Sequence, residues 1–219
     1  MPMGRLISIE GGDGVGKSTQ AALLKERLEG VGVEAVLLRE PGGTPLGEEL
    51  RRLLKGTGVS DAWAELFLFE AARAELVRQA IRPALERGAV VVVDRFADSS
   101  TAYQAYGRGL PASEIEAVNR LATGGLTPDL TVLLDMPPVA ALGRVRATTD
   151  GAGKPGRADP ASERRFEEEP VAFHERVAEG FRRLAAREPQ RWLVVDATLP
   201  REEIAEAIWA RVCELLRPG

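Results

Sequence analysis

The chain has 219 residues and a formal net charge of −4, with 44% apolar and 28% charged residues. That length supports one well-buried core, and the acidic balance weighs against nucleic acid as a partner. The single cysteine, Cys213, excludes an internal disulfide and a cysteine-based metal cluster. No apolar run approaches membrane-spanning length, and the start of the chain has no signal-peptide core. A cytoplasmic protein without a membrane partner is therefore expected.

Apolar runs of strand length fall at residues 6–9, 33–38, 89–93, 130–134 and 192–195. Runs this continuous suit strands covered on both faces, as in a parallel sheet. Helical patterns fill the gaps at 17–28, 46–54, 63–87, 99–106, 113–122, 139–147, 163–187 and 201–216. Ser113 and Glu116 have capping-box spacing, and Pro83 should kink or split the long 63–87 segment. The alternation predicts an α/β fold over residues 1–219 as one domain: a doubly wound, five-stranded parallel sheet flanked by helices. Ligands then bind at the carboxyl ends of the strands. The stretch 148–162, TTDGAGKPGRADPAS, has no periodicity and is rich in Gly, Pro and Ala. It is read as a mobile lid of about 148–165 that brings Lys154, Arg157, Arg164 and Arg165 over a bound anion. The lone His174 is expected on a helix surface.

Gly11, Gly12, Asp13, Gly14, Val15, Gly16, Lys17 and Ser18 spell G-x-x-x-x-G-K-[ST], the phosphate-binding P-loop, and Thr19 opens the helix behind it. Strand, glycine loop and helix aim backbone N–H groups and a helix N-terminus at one anion. The fold is thus of P-loop NTPase type, and the chain should bind ATP or GTP. Lys17 would reach the β- and γ-phosphates, and Ser18 would hold Mg²⁺. Asp13 is out of place in an anion loop, so it needs a partner of its own, such as a sugar hydroxyl or hydrated Mg²⁺. Asp94 ends the third strand, as a Mg²⁺-orienting acid does, with Arg95 directly after it. Phe69 and Arg73 share a helix face. With Thr101, Tyr103 and Gln104 they suggest a nucleobase pocket. Arg39, Arg51 and Arg52 are candidates for a second phosphate.

Taken together, IEGGDGVGKST, REPGGT, LFEAARA, DRF, STAYQ, TPDLTVLLD and VVDAT resemble the thymidylate kinase family in order and spacing. The resemblance runs from about residue 5 to the last helix. It implies phosphoryl transfer from ATP to dTMP, with Mg²⁺, in a homodimer. By the same resemblance, Phe69 stacks on thymine and Arg73, Thr101 and Gln104 meet the base. Tyr103 crowds the sugar 2′ position, Asp13 holds the 3′-hydroxyl side, and Arg51 and Arg95 grip the acceptor phosphate. The loop around 196–198 would lie against adenine. Gly14 stands where some family members carry arginine, so the catalytic cation must come from the lid, with Arg165 the best-aligned candidate. Lys17, Asp94, Arg95 and Arg165 are the expected catalytic set. The alternatives are a kinase for another nucleoside monophosphate and a P-loop switch NTPase. A guanine-reading N-K-x-D motif is absent, because the sole asparagine, Asn119, precedes Arg120.

Overall fold

The computed structural model describes residues 4–56, 59–150 and 165–217. Among these, five strands form one all-parallel sheet: β1 (Arg5–Glu10), β2 (Ala35–Arg39), β3 (Val90–Asp94), β4 (Leu130–Asp135) and β5 (Trp192–Asp196). The order is β2-β3-β1-β4-β5, with Ile9 opposite Asp94 on β3 and opposite Val132 on β4. The chain leaves β1 toward β2 and β3 on one side and toward β4 and β5 on the other. A crevice therefore opens at the carboxyl end of β1, where the connections diverge.

Alternate residues of each strand enter opposite layers. Ile7, Ile9, Val92, Val132 and Leu134 pack with α1 (Lys17–Gly30) and α9 (Arg201–Leu216) through Leu24, Leu28, Ile204 and Ile208. Leu6, Val91 and Val93 face the other way, onto Leu76, Val77 and Ile81. Those three belong to α3 (Ala62–Leu76) and a π-helical turn at Val77–Ile81 that leads into α4 (Arg82–Glu86). The break expected at Pro83 thus lies one turn upstream, leaving the proline at the start of α4, where a missing N–H costs least. Leu133, Tyr103, Phe173, Phe181 and Trp192 form a third apolar cluster under α8 (Val171–Arg187).

Helix ends follow local chemistry. Thr44 caps α2 (Pro45–Lys55) by accepting from the Gly47 N–H at 3.0 Å, and Asp61 caps α3 through the Ala64 N–H at 2.9 Å. The capping box expected at Ser113 and Glu116 does not form. Helix α6 (Ala112–Thr123) already begins after Pro111, whose carbonyl accepts from Glu114 and Ile115. Within the segment 163–187, the described residues from Arg165 on are helical only from Val171, because Pro170 bars continuation from the preceding turn. Helix α7 (Pro138–Asp150) runs three residues into the stretch read as a lid. Lys154, Arg157 and Arg164 lie outside the described residues. His174 is buried, 5% exposed, against Phe173, which corrects its expected surface place. Every third or fourth residue of α8 (Phe173, Val177, Phe181, Leu184) enters the core, and His174 lies beside that stripe.

Candidate active site

A cavity of about 460 Å³ opens at the carboxyl end of the sheet, within the size range of small-ligand sites. Its floor is the P-loop. Gly11, Gly14 and Gly16 all have positive φ there, which a Cβ would strain. At Gly14 the reason is also steric, since an added Cβ would lie 2.3 Å from the Ala141 carbonyl oxygen of α7. Asp13, Gly14, Gly16, Lys17, Ser18 and Thr19 line the cavity, while Gly11, Gly12 and Val15 line a small space behind the loop beside His174. Lys17 Nζ donates to the Gly12 carbonyl. Burial pushes its pKa down to about 8, reinforced by nearby Arg95 and opposed by Asp13, Asp94 and Glu10. Ser18 Oγ donates to Asp94 Oδ2. A hydroxyl and a carboxylate in contact are hard oxygen donors and fit Mg²⁺. No group of three or more His, Cys, Asp or Glu suited to a metal occurs among the described residues. These two would therefore supply only part of a coordination shell, as is usual where phosphates and water complete it.

Asp94 and Arg95 follow one another but point apart. Arg95 has φ 71, the one positive φ outside glycine among the described residues. Strand β1 grips this turn at two points: the Arg95 N–H donates to the Ile9 carbonyl at 3.1 Å, and the Phe96 N–H donates to Glu10 Oε1 at 2.7 Å. The left-handed turn sends the Arg95 guanidinium to Asp13 at 2.5 Å, with its Nη2 also donating to the Tyr103 hydroxyl at 3.0 Å. Tyr103 closes the triangle by donating to Asp13 Oδ2 at 3.0 Å. The partner Asp13 requires is thus an arginine and a phenol of its own chain. Burial alone would raise the Asp13 carboxyl, but Arg95 and then Lys17 carry it below the ordinary range. Glu10, fully buried, is pushed up to about 8 by burial and by Asp98, against Ser99, Arg95 and the Phe96 amide.

The far end of the cavity is aromatic. Phe69 from α3 and Tyr103 and Gln104 from a π-helical segment, Thr101–Gly107, that continues α5 (Ala97–Ser100), line it with Arg73 and Ser100. Wide π turns recur at functional sites. Thr101 does not line the cavity. It is 3% exposed and accepts from Asn119 Nδ2 at 3.2 Å, because the turn points it away and presents Ser100 instead. Arg73, 1% exposed, spends its donors internally on Glu40, Glu70, Ser100, Asn119 and the Phe96 carbonyl. Burial pushes Glu40 up to about 7 against the pull of Arg73. Arg51 lines the cavity, donating to the Pro41 carbonyl at 2.9 Å, while Arg52 pairs with Glu49 on the solvent side.

Arg165 is not at the P-loop. Its guanidinium lies 2.7 Å from the buried Glu65 carboxylate and donates to the Leu54 carbonyl. That carboxylate, with the Phe166 ring under the arginine at 5.2 Å, holds it beside the aromatic end. Three features escaped the sequence reading. Phe166 packs 6.0 Å from the Phe69 ring, tilted against it, and 5.9 Å from Tyr103, edge-on, beside the ring expected to stack on a base. Arg144 from α7 lines the cavity beside Gly14 and donates to the Ala197 carbonyl. Glu65 gathers Gln104, Arg108 and Arg165. The helical spacing of Arg144 carries no sign of this, whereas Phe166, an aromatic flanked by charges in RRFEEE, was a usable signal.

The family model described as thymidylate kinase matches residues 9–208. The chain belongs to the thymidylate kinase family. It is similar to the thymidylate kinase of Thermomicrobium roseum, 47% identical over 99% of this chain and 98% of that one. The thymidylate kinase of Clavibacter sepedonicus is 51% identical over the same shares, and that of Deinococcus radiodurans 47% identical over 98% of each. The P-loop and Phe69 lie at the two ends of one cavity.

Proposed function

We propose that this chain transfers the γ-phosphoryl group of ATP to dTMP, giving dTDP, with Mg²⁺ as the required ion and the whole chain acting as one kinase domain. What carries the reading is that Lys17 and Ser18 share one cavity with Phe69 and Gln104. A phosphate cradle and an aromatic, amide-bearing wall are thereby within one ligand pair's span.

The acceptor is itself a phosphate, with a second pKa near 6, so no general base is required. The obstacle is repulsion between two polyanions, which is severe in a site shielded from water. Lys17, Arg95 and Arg51 line the cavity from three elements, with Arg144 added from α7. Fixed cations of this kind stabilise developing charge without reorganising. When bound, Mg²⁺ would neutralise phosphate charge at Ser18 and Asp94. Arg95 is preset, because Asp13 and Tyr103 hold its guanidinium from two sides. Acceptor phosphate would compete with Asp13 for it. Phe69 and Tyr103 supply flat surfaces for a base, and Phe166 would have to shift or cover it.

A homodimer fits the exposed Phe67, stacked on Trp63 at 6.0 Å along the outer face of α3. No described helix is long and apolar enough to cross a membrane, and a cytoplasmic location agrees with that. The test is a panel of dTMP, dUMP, CMP, AMP, GMP and thymidine with ATP and Mg²⁺, following ADP release. Turnover led by dTMP is expected. Turnover led by a purine monophosphate or by the nucleoside would overturn the reading.

A further inference from the structure

We propose that Glu65 is a positioning residue that sets base selectivity by fixing which way the Gln104 side-chain amide points. This rests on the reading that the cavity takes dTMP. Glu65 sits in the first turn of α3 and is fully buried. Its oxygens accept from Gln104 Nε2 at 2.8 Å and from Arg108 Nε and Nη2 at 3.2 and 3.1 Å, and Arg165 Nη2 lies 2.7 Å away.

The two ends of a glutamine amide have nearly the same shape and opposite polarity. Only a partner of fixed polarity can decide between them. A carboxylate facing two guanidiniums offers lone pairs alone, so the Gln104 nitrogen must turn to it. Gln104 lines the cavity and Glu65 does not. One N–H is spent on Glu65, so the amide oxygen, an acceptor whose place is now fixed, and the second N–H are what remain for a ligand. Thymine and uracil carry a ring N–H at position 3, which satisfies such an acceptor. Cytosine carries a bare ring nitrogen there, so lone pair would meet lone pair. A buried polar atom left unpaired in this way costs about 1–3 kcal/mol, or roughly five- to 150-fold. Discrimination against cytosine then needs no residue that touches its amino group.

The experiment measures kcat/KM for dTMP, dUMP and dCMP with Glu65→Gln, Glu65→Asp and Gln104→Leu. Glutamine at 65 can donate or accept and frees the Gln104 amide to turn. The dTMP:dCMP ratio should fall about tenfold or more, through a gain on dCMP, with the dTMP:dUMP ratio and the KM for ATP unchanged. Aspartate at 65 still only accepts and should keep the selectivity. Gln104→Leu should lower the ratio by itself, and adding Glu65→Gln to it should change nothing further. Equal losses on all three nucleotides in Glu65→Gln would mean a structural role and overturn the proposal. Should that variant not fold, an unchanged dTMP:dCMP ratio in Gln104→Leu would overturn it. A wild-type chain that leaves dTMP untouched would instead overturn the acceptor reading.

Discussion

Glu10→Gln tests how the site is built, through stability and independently of catalysis. Glu10 ends β1 with no exposure to solvent, accepting from the Phe96 N–H at 2.7 Å and from Ser99 Oγ at 2.6 Å. Burial raises its pKa from 4.5 to about 8. Between those values the unfolded chain has released this proton and the folded chain still holds it. Stability must then fall as pH rises, by about 1.4 kcal/mol per unit for this one group. The full benefit is present below pH 4.5, and the loss is complete above about pH 8. From pH 6 to pH 8 the integrated loss is about 2 kcal/mol. When Glu10 holds its proton, Oε2 donates to Ser99 Oγ instead; glutamine copies that protonated pattern, its oxygen accepting from Phe96 and its nitrogen donating to Ser99, and has no proton to release. Urea unfolding at pH 6, 7 and 8 should therefore show Glu10→Gln gaining about 2 kcal/mol on the wild type across the series, since the other titrations are common to both. Unfolding free energies that stay parallel with pH would refute the argument, for they would mean that Glu10 is ionised in the fold throughout.

Lys17→Ala should cost several orders of magnitude in turnover, read by ADP release, because it removes the cation at the floor of the cavity. Phe69→Ala should raise the KM for dTMP with little change for ATP; equal effects on both would remove Phe69 from the base wall. Arg144→Ala should lower kcat about 10²-fold or more, and Arg165→Ala should act chiefly on the KM for dTMP, since Arg165 is tied to the acceptor wall through Glu65. A kcat collapse confined to Arg165→Ala would return the sequence-based assignment to favour. Gly14→Ala should destabilise the fold and weaken ATP binding, measured by thermal melts with and without nucleotide, because its Cβ meets the Ala141 carbonyl at 2.3 Å in a backbone with φ +80.

The sheet and the phosphate cradle were legible in the sequence because both are local. Unbroken apolar runs such as residues 90–93 mark strands buried on two faces, and the P-loop glycines record a backbone conformation that only neighbouring residues must share. What could not be read were contacts between elements far apart in the chain. Asp13 and Arg95 looked like two separate problems, one acid lacking a partner and one base beside an acid, until β1 and β3 set them against each other. Arg73 was legible as facing the cavity, but not as spent on Glu40 and Glu70. The Gly14 position shows the same limit most sharply. From the sequence and its family resemblance, glycine at 14 takes the place of an arginine and calls for a substitute cation from the lid. The reason for glycine is α7, whose backbone passes so close that no side chain fits. That same helix delivers Arg144 to the cavity beside the loop. The absence of a side chain at position 14 and the arrival of a cation from α7 are then one packing decision. An arginine placed at position 14 of this chain would require α7 to move away, and Arg144 with it.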